Sequence, residues 1–133
     1  MIAPESLLNL SPVGAIYVLP IGWPISFNAY KDRQQRTTKK GRVWRDMVAA
    51  KIWDQCKGQP EPLIGKVSIY WELWEPQDNR DRDLDNFTGK HILDAIVKAG
   101  VIEDDNTRTV VRLVREYRGK CPGGHLIVTA MEV

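Results

Sequence analysis

A run of strict alternation in the middle of the chain constrains the fold most. Between positions 67 and 74, the apolar residues Val67, Ile69, Trp71 and Leu73 alternate with Ser68, Tyr70, Glu72 and Trp74. A period of two predicts a β-strand with one buried face. Such a strand needs partner strands and a covering layer, so the pattern indicates a sheet with helices packed against it.

Two segments with helical spacing supply the covering layer. The first helix is predicted from Thr38 to Cys56, with an end at Gly58 and Pro60. The second is predicted from about Asn86 to Ala99, with Gly100 as its C-terminal stop. Each carries an apolar stripe that can pack on the sheet.

Three further strands are predicted, at Ala15–Leu19, Thr109–Tyr117 and His125–Met131. The segment Gly22–Thr38 is predicted to be a long loop. The resulting order, β-α-β-α-β-β, predicts an α+β fold with a mixed or antiparallel sheet and helices packed on it. The length of 133 residues fits a single domain, 1–133, with residues 1–14 as a candidate flexible extension.

Composition excludes several classes of protein. No apolar run is long enough for a bilayer, and the N-terminus lacks the basic region of a signal peptide, so a cytoplasmic protein without membrane contact is expected. Cys56 and Cys121 follow no metal-ligand spacing and are expected to be reduced thiols. His91 is expected to lie on the surface, away from the buried stripe of the second helix, and His125 to start a strand; neither is assigned a role.

The net charge of +2 hides an uneven distribution. One basic segment contains Lys31, Arg33, Arg36, Lys39, Lys40, Arg42 and Arg45, and a second contains Arg108, Arg112, Arg115, Arg118 and Lys120. Acidic residues concentrate between them, at Asp78, Asp81, Asp83 and Asp85 and again at Glu103, Asp104 and Asp105. This arrangement suits a polyanion bound on the flanks and a cation bound in the centre. The alternative is a solvated surface whose charges cancel.

The motif that carries chemistry begins at Arg82-Asp-Leu-Asp-Asn86. Asp83 and Asp85 can turn toward one point if the backbone is extended. Asp104 and Asp105 can meet them only if the loop after the second helix folds back or a neighbouring strand carries them there. Three carboxylates with open positions would form a magnesium or manganese site. Lys90 could then hold the scissile phosphate.

Each of these residues also has a structural alternative. Asp83 or Asp85 could cap the second helix. Asp104 and Asp105 could be turn residues. Lys90 could pair with Asp94 at i,i+4 on the helix surface.

At these residues the chain resembles the RusA family of Holliday-junction resolvases. The similarity is densest over 82–106, where Asp-Leu-Asp-Asn, a helical lysine, Leu-Asp-Ala, Lys-Ala-Gly and a closing Asp-Asp follow one another. It extends to Leu19-Pro-Ile-Gly-Trp-Pro24, to Asn28 and Tyr30, to the basic helix from Lys39 and to the last two strands.

The resemblance implies a magnesium-dependent homodimer that nicks four-way junctions symmetrically. It places the metal-binding aspartates on Asp83, Asp85 and Asp105 and the essential lysine on Lys90. The chain has one residue more than the familiar family form between Asn86 and Lys90, so the lysine is assigned by counting back along the helix from the Leu-Asp-Ala motif.

Three hypotheses follow: a junction-resolving endonuclease, a nuclease for flaps, forks or other branched DNA, and a non-catalytic DNA-binding module. The residues expected to contact DNA are Lys31, Arg33, Arg36, Lys39, Lys40, Arg42, Arg82, Arg108 and Arg112. In the binding module, Trp23 and Tyr30 would stack on bases, whereas Trp44 is better explained as a core residue.

The chain carries one aspartate motif and no internal repeat, so two symmetric cuts need two subunits. The dimer contact is expected at an edge of the sheet or on the apolar face of Val67–Leu73.

Overall fold

The computed structural model describes residues 14–20, 24, 27–80, 82 and 90–133, without the side chains of residues 27 and 28. The predicted extension at 1–13, the side chain of Trp23, the start of the second helix and the aspartates Asp83 and Asp85 therefore lie outside the described residues. Gly14, the last residue of the predicted extension, begins the first strand.

The described elements follow the predicted order, with one addition. They are β1 (Gly14–Leu19), α1 (Phe27–Tyr30), α2 (Lys39–Cys56), β2 (Val67–Pro76), α3 (Lys90–Ala99), β3 (Val110–Cys121) and β4 (His125–Glu132). The short helix α1 interrupts the segment predicted to be a loop. β3 extends four residues beyond the predicted Tyr117, because its pairing with β2 continues to Cys121.

The long helix α2 begins and ends with standard capping interactions. The Thr38 hydroxyl accepts a hydrogen bond from the Gly41 N–H at 2.9 Å, which satisfies one of the free donors of the first turn. The helix ends where Lys57 adopts a left-handed conformation, one residue before the glycine that the sequence offered as the stop. Trp44, Val48 and Ile52 form its buried stripe, so the prediction that Trp44 belongs to the core is confirmed.

The four strands form one mixed sheet in the order β1-β4-β2-β3. β4 pairs antiparallel with both β1 and β2, whereas β2 and β3 run parallel. Consecutive strands β3 and β4 thus lie on opposite sides of β2, and their connection crosses the end of β2. Gly124 lies at this crossing. A side chain there would not fit, since a Cβ would lie 2.8 Å from the Pro76 nitrogen and the Trp74 carbonyl oxygen.

One face of the sheet is buried. Val67, Ile69, Trp71 and Leu73 of β2 join residues of α2, α3, β1 and β4 in a single core. The proposal that this face of β2 contributes to a dimer contact is therefore wrong, because the chain's own helices cover it. The intervening side chains of β2 stay partly exposed on the other face, as the alternation predicted.

Two aromatic side chains lie deeper than the sequence suggested. His91 is fully buried against Tyr30 and Trp44, with ring centroids 5.4 and 5.1 Å away, so the prediction of a surface histidine is wrong. The apolar stripe of α3 is wider than assumed and includes position 91. Tyr30 is also fully buried, which removes it as a platform for stacking bases.

No helix in the described part of the chain is long and apolar enough to cross a membrane. Both cysteines are free thiols, and the Cys121 Sγ lies 3.3 Å from the His125 Nδ1.

Candidate active site

The described part of the candidate site is built around Lys90, the first described residue of α3. Its ammonium lies 2.5 Å from the Asp105 Oδ2 and 3.2 Å from the Asp94 Oδ1. The i,i+4 pair with Asp94 that was considered as a structural alternative exists. It coexists with a contact to an aspartate that is distant in sequence. A lysine between two carboxylates is thus fixed in position while its side chain stays 47% exposed.

Asp105 reaches this lysine because the chain folds back after α3. Gly100 adopts a positive φ of 87° and ends the helix, and the next two residues, Val101 and Ile102, are buried. A parallel bridge between Leu63 and Ile102 ties the returning chain to the segment before β2. The chain thus folds back after α3, which the sequence analysis gave only as a condition for the site.

Asp104 and Asp105 occupy different environments. The Asp104 carboxylate accepts hydrogen bonds from the Asp105 N–H at 2.7 Å and from the Asn106 side-chain amide at 2.9 Å. Asp104 therefore acts as a turn residue. The Asp105 carboxylate faces Lys90 instead.

Sequence reasoning did not assign a site role to Asp94 or Tyr30. The Tyr30 hydroxyl donates a hydrogen bond of 2.8 Å to the Asp94 Oδ2, so each Asp94 oxygen has its own partner. Burial and the bond to Asp94 both raise the pKa of Tyr30, which keeps the phenol protonated as a donor. The i,i+4 spacing from Lys90 was the available signal for Asp94, whereas Tyr30 was marked only by the family resemblance and as a candidate for stacking on bases.

The charges in this cluster reinforce one another. The hydrogen bond from Lys90 lowers the pKa of Asp105 below its ordinary value. Partial burial acts to lower the pKa of Lys90, but the bonds to Asp105 and Asp94 outweigh it and the net shift is upward. The lysine is therefore cationic and Asp105 anionic at neutral pH. A shallow pocket of about 320 Å³ adjoins them, lined by Arg45, Asp94, Val97, Lys98 and Asp105.

The predicted metal site is only partly within the described residues. Among those residues, no group of three or more histidine, cysteine, aspartate or glutamate side chains could hold a metal ion. Asp105 and Asp94 offer carboxylate oxygens, the donors that Mg²⁺ prefers. Asp83 and Asp85 lie outside the described residues, so the three-aspartate site stays a prediction.

A second cation lies between two carboxylates just before the aspartate motif. The Arg82 guanidinium binds Glu75 at 3.0 Å and Asp78 at 2.8 Å, with 12% of its side chain exposed. Glu75 is itself buried and accepts a 2.8 Å hydrogen bond from the Tyr117 hydroxyl. Glu75 continues the alternation of β2 by one step beyond Leu73, which places it on the apolar face of the strand.

Most of the residues expected to contact DNA are exposed. These are Arg33, Arg36, Lys39, Lys40, Arg42, Arg108 and Arg112. Arg36 is partly neutralised by Asp32 at 2.9 Å, and the Arg42 guanidinium donates to the Thr37 carbonyl. Lys31 is half-buried, with its ammonium 2.8 Å from the Thr37 hydroxyl. A basic surface is therefore available, although part of its charge is offset locally.

Comparison with known proteins identifies the class. No protein-family model matches the sequence. The chain is 33% identical over 121 residues to the crossover junction endodeoxyribonuclease RusA of Enterobacteria phage HK97. The match covers 88% of this chain and 93% of the phage protein. The chain therefore belongs to the RusA family, as its sequence motifs had indicated.

Proposed function

We propose that this chain is a magnesium-dependent endonuclease that resolves four-way DNA junctions as a homodimer. The observation that supports it best is the contact between Lys90 and Asp105, 15 residues apart in sequence. Two charged residues that the resemblance assigned to catalysis are neighbours in space. The similarity to a crossover junction endodeoxyribonuclease supports the same reaction and substrate.

In this proposal Asp83, Asp85 and Asp105 hold the metal. Magnesium, or manganese in its place, would supply a lowered water pKa and offset charge on the phosphate. Lys90 would donate to a non-bridging oxygen of the scissile phosphate and stabilise the charge that develops there. Asp94 and Tyr30 would hold the lysine in place, because Asp94 binds its ammonium and Tyr30 fixes Asp94.

DNA would bind across the exposed basic side chains of the 31–42 segment together with Arg108 and Arg112. Contacts of this kind with phosphates are independent of base sequence and weaken as salt rises. They suit an enzyme whose substrate is defined by its branched shape.

A direct test measures cleavage of a labelled four-way junction, a flap and a plain duplex, each with and without magnesium. The proposal predicts symmetric cuts in the junction that require magnesium. Preferential cutting of the flap would favour a nuclease for other branched DNA. Binding without cutting, in magnesium and in manganese, would favour a non-catalytic binding module.

The proposed dimer leaves the sheet edges as contact surfaces, since the apolar face of β2 is buried. Both edges expose apolar side chains: Ile16 and Val18 on β1, and Val111 and Leu113 on β3. Light scattering on Ile16→Glu and Leu113→Glu would locate the contact, because only a change in the interface should halve the mass. A monomeric wild type that accumulates nicked circles from a supercoiled cruciform before any linear product would refute the dimer.

A further inference from the structure

We propose that Asp32 is a positioning residue for DNA binding, which holds the loop of residues 31–37 in the conformation that presents Arg33 to a phosphate of the junction. This loop lies between α1 and α2, and residues 33–36 form its exposed tip. The inference rests on the proposed function, since it takes the junction to be the ligand. It adds which side chain of the loop meets the DNA backbone and what keeps that side chain in place.

Asp32 is an unexpected residue in this part of the chain. It is the only acidic residue between Lys31 and Arg45, a stretch that contains seven lysines and arginines. If this stretch bound DNA through its charge alone, the carboxylate would oppose binding, because it repels phosphates. An acid at this position therefore needs a compensating role, and its contacts in the loop provide one.

Hydrogen bonds of Asp32 close the loop. Its Oδ1 accepts bonds from the N–H groups of Gln34 and Arg36, both at 2.9 Å, and its Oδ2 accepts one from the Arg36 Nε at 2.9 Å. Its backbone N–H donates to the Arg36 carbonyl at 2.9 Å, and its carbonyl accepts from the Gln35 N–H at 3.0 Å. The bond from the Arg36 N–H is the main cause that lowers the pKa of Asp32. An aspartate that binds the backbone two residues further on fixes a turn in this way.

Both ends of the loop are fixed to the rest of the protein. Lys31 and Thr37 form an antiparallel bridge, and the Lys31 ammonium lies 2.8 Å from the Thr37 hydroxyl. Before the loop, Tyr30 is fully buried and its hydroxyl binds Asp94, which also contacts Lys90. After the loop, the chain passes directly into the N-terminal cap of α2. The loop is therefore held at a defined position relative to the candidate active site.

Arg33 is the cation that the closed loop leaves available. It is exposed, and its side chain forms no ion pair or hydrogen bond with any described residue. Arg36 is also exposed, but its guanidinium binds Asp32 and the Gln34 side chain. An arginine can bind a phosphate through two parallel hydrogen bonds. Because the loop already has its shape before DNA arrives, less conformational entropy is lost when the phosphate binds.

Two substitutions at Asp32 separate the turn from the charge. Asp32→Asn removes the charge and keeps an oxygen that can accept the bonds from the Gln34 and Arg36 N–H groups, whereas Asp32→Ala removes both. Affinity for a labelled four-way junction is measured without divalent metal, so that no strand is cut. Asp32→Ala should bind the junction about fivefold more weakly than the wild type, because the loop must then be ordered on binding. Asp32→Asn should bind at least as tightly as the wild type.

Asp46 provides a matched control. Its carboxylate also pairs with an arginine, Arg45, at 3.4 Å, but it lies within α2 rather than in a turn. Asp46→Ala therefore removes one negative charge beside the basic segment and leaves the loop intact. It should bind the junction about twofold more tightly, the size of one screened surface charge. Positioning by Asp32 thus predicts opposite signs for the two alanine variants, whereas charge alone predicts the same sign.

A double-mutant cycle tests whether Asp32 acts through Arg33. Arg33→Gln should weaken junction binding and lower the slope of log affinity against log salt by about 1. In an Asp32→Ala background the same substitution should cause a smaller loss of affinity, because the loosened loop no longer presents the arginine. Since Arg33 is exposed, this variant remains informative if Asp32→Ala folds poorly.

The outcomes distinguish this assignment from the proposed function. Tighter binding by Asp32→Ala, equal affinities of Asp32→Ala and Asp32→Asn, or an unchanged salt slope in Arg33→Gln would overturn the assignment while the wild type still binds and cuts junctions. A wild type that binds no branched DNA would refute the proposed function, and this assignment with it.

Discussion

Two cations on either side of residues 83–89 have the same kind of partners and different surroundings. Arg82 lies between Glu75 and Asp78, and Lys90 lies between Asp94 and Asp105. The Arg82 side chain is 12% exposed and the Lys90 side chain is 47% exposed. The arginine can offer a substrate little, whereas the lysine can be approached from solvent.

Ion pairing alone therefore does not identify a functional charge. Arginine between the buried Glu75 and the more exposed Asp78 is a rigid structural element, because its planar donors match both partners. Lysine is a compact charge on a flexible chain, and an exposed pair of this type contributes little to stability. The first cluster is therefore largely closed to solvent, and the second is accessible from it.

The largest expected effect is on the rate of junction cleavage, and it distinguishes Lys90 from Arg82. Lys90→Gln should reduce the rate of junction cleavage about 100-fold, the size typical of losing one group that stabilises the transition state. Its melting temperature should stay close to that of the wild type. Single-turnover cleavage and thermal unfolding measure the two quantities, with the exposed Lys51→Gln as the control. A fast-cutting Lys90→Gln variant would place the chemistry elsewhere.

A smaller effect concerns DNA affinity. Neutralising Arg36, Lys39, Lys40 and Arg42 together should weaken binding to every DNA structure and lower the slope of log affinity against log salt by about 3. Arg82→Gln should leave that slope unchanged, because its guanidinium is already shared by two carboxylates. Gel-shift titrations over a range of salt measure both. A reduced slope for Arg82→Gln would show that this residue does contact phosphate.

Substitution of His91 should have the smallest effect on cleavage at neutral pH. This residue follows Lys90, but its side chain points into the core. Burial lowers the pKa of His91 from 6.5 to about 4. Between these values the unfolded chain binds a proton that the folded protein does not, so stability falls as the pH drops from 6.5 to 4. The expected loss is about 3 kcal/mol in the free energy of unfolding.

His91→Phe should remove this component while keeping an aromatic ring against Tyr30 and Trp44. Urea unfolding at several pH values compares it with the wild type and with His125→Phe, a change at a half-buried histidine. The same pH dependence in all three proteins would show that burial of His91 does not control acid stability.

The fold was largely predictable because its signals are local. Alternation over 67–74, the cap at Thr38 and the glycine after Ala99 mark elements whatever the rest of the chain does. The path of the connection between β3 and β4, which crosses the end of β2, was not predictable. It depends on which strands pair at long range.

Some residues of the candidate site are likewise marked by local sequence signals, and others are not. Lys90 and Asp105 were predicted from their motifs, and the structure brings them together. Asp94 was predicted only as the i,i+4 partner of Lys90. The Tyr30–Asp94 and Tyr117–Glu75 bonds were not predicted, because they join residues that are 64 and 42 positions apart in sequence. The alternation of β2 places Glu75 on the buried face, but no local pattern shows that Tyr117 and Arg82 pair with it.

Two adjacent aspartates provide the most direct test of the proposed metal site. Asp105→Asn changes the carboxylate that faces Lys90, and Asp104→Asn changes the one that closes its own turn. Single-turnover cleavage of a four-way junction in magnesium is measured beside binding of the same junction without metal. Asp105→Asn should bind the junction normally and fail to cut it, while Asp104→Asn should retain most of its cleavage. Normal cleavage by Asp105→Asn, with Asp104→Asn inactive, would contradict the proposed metal site.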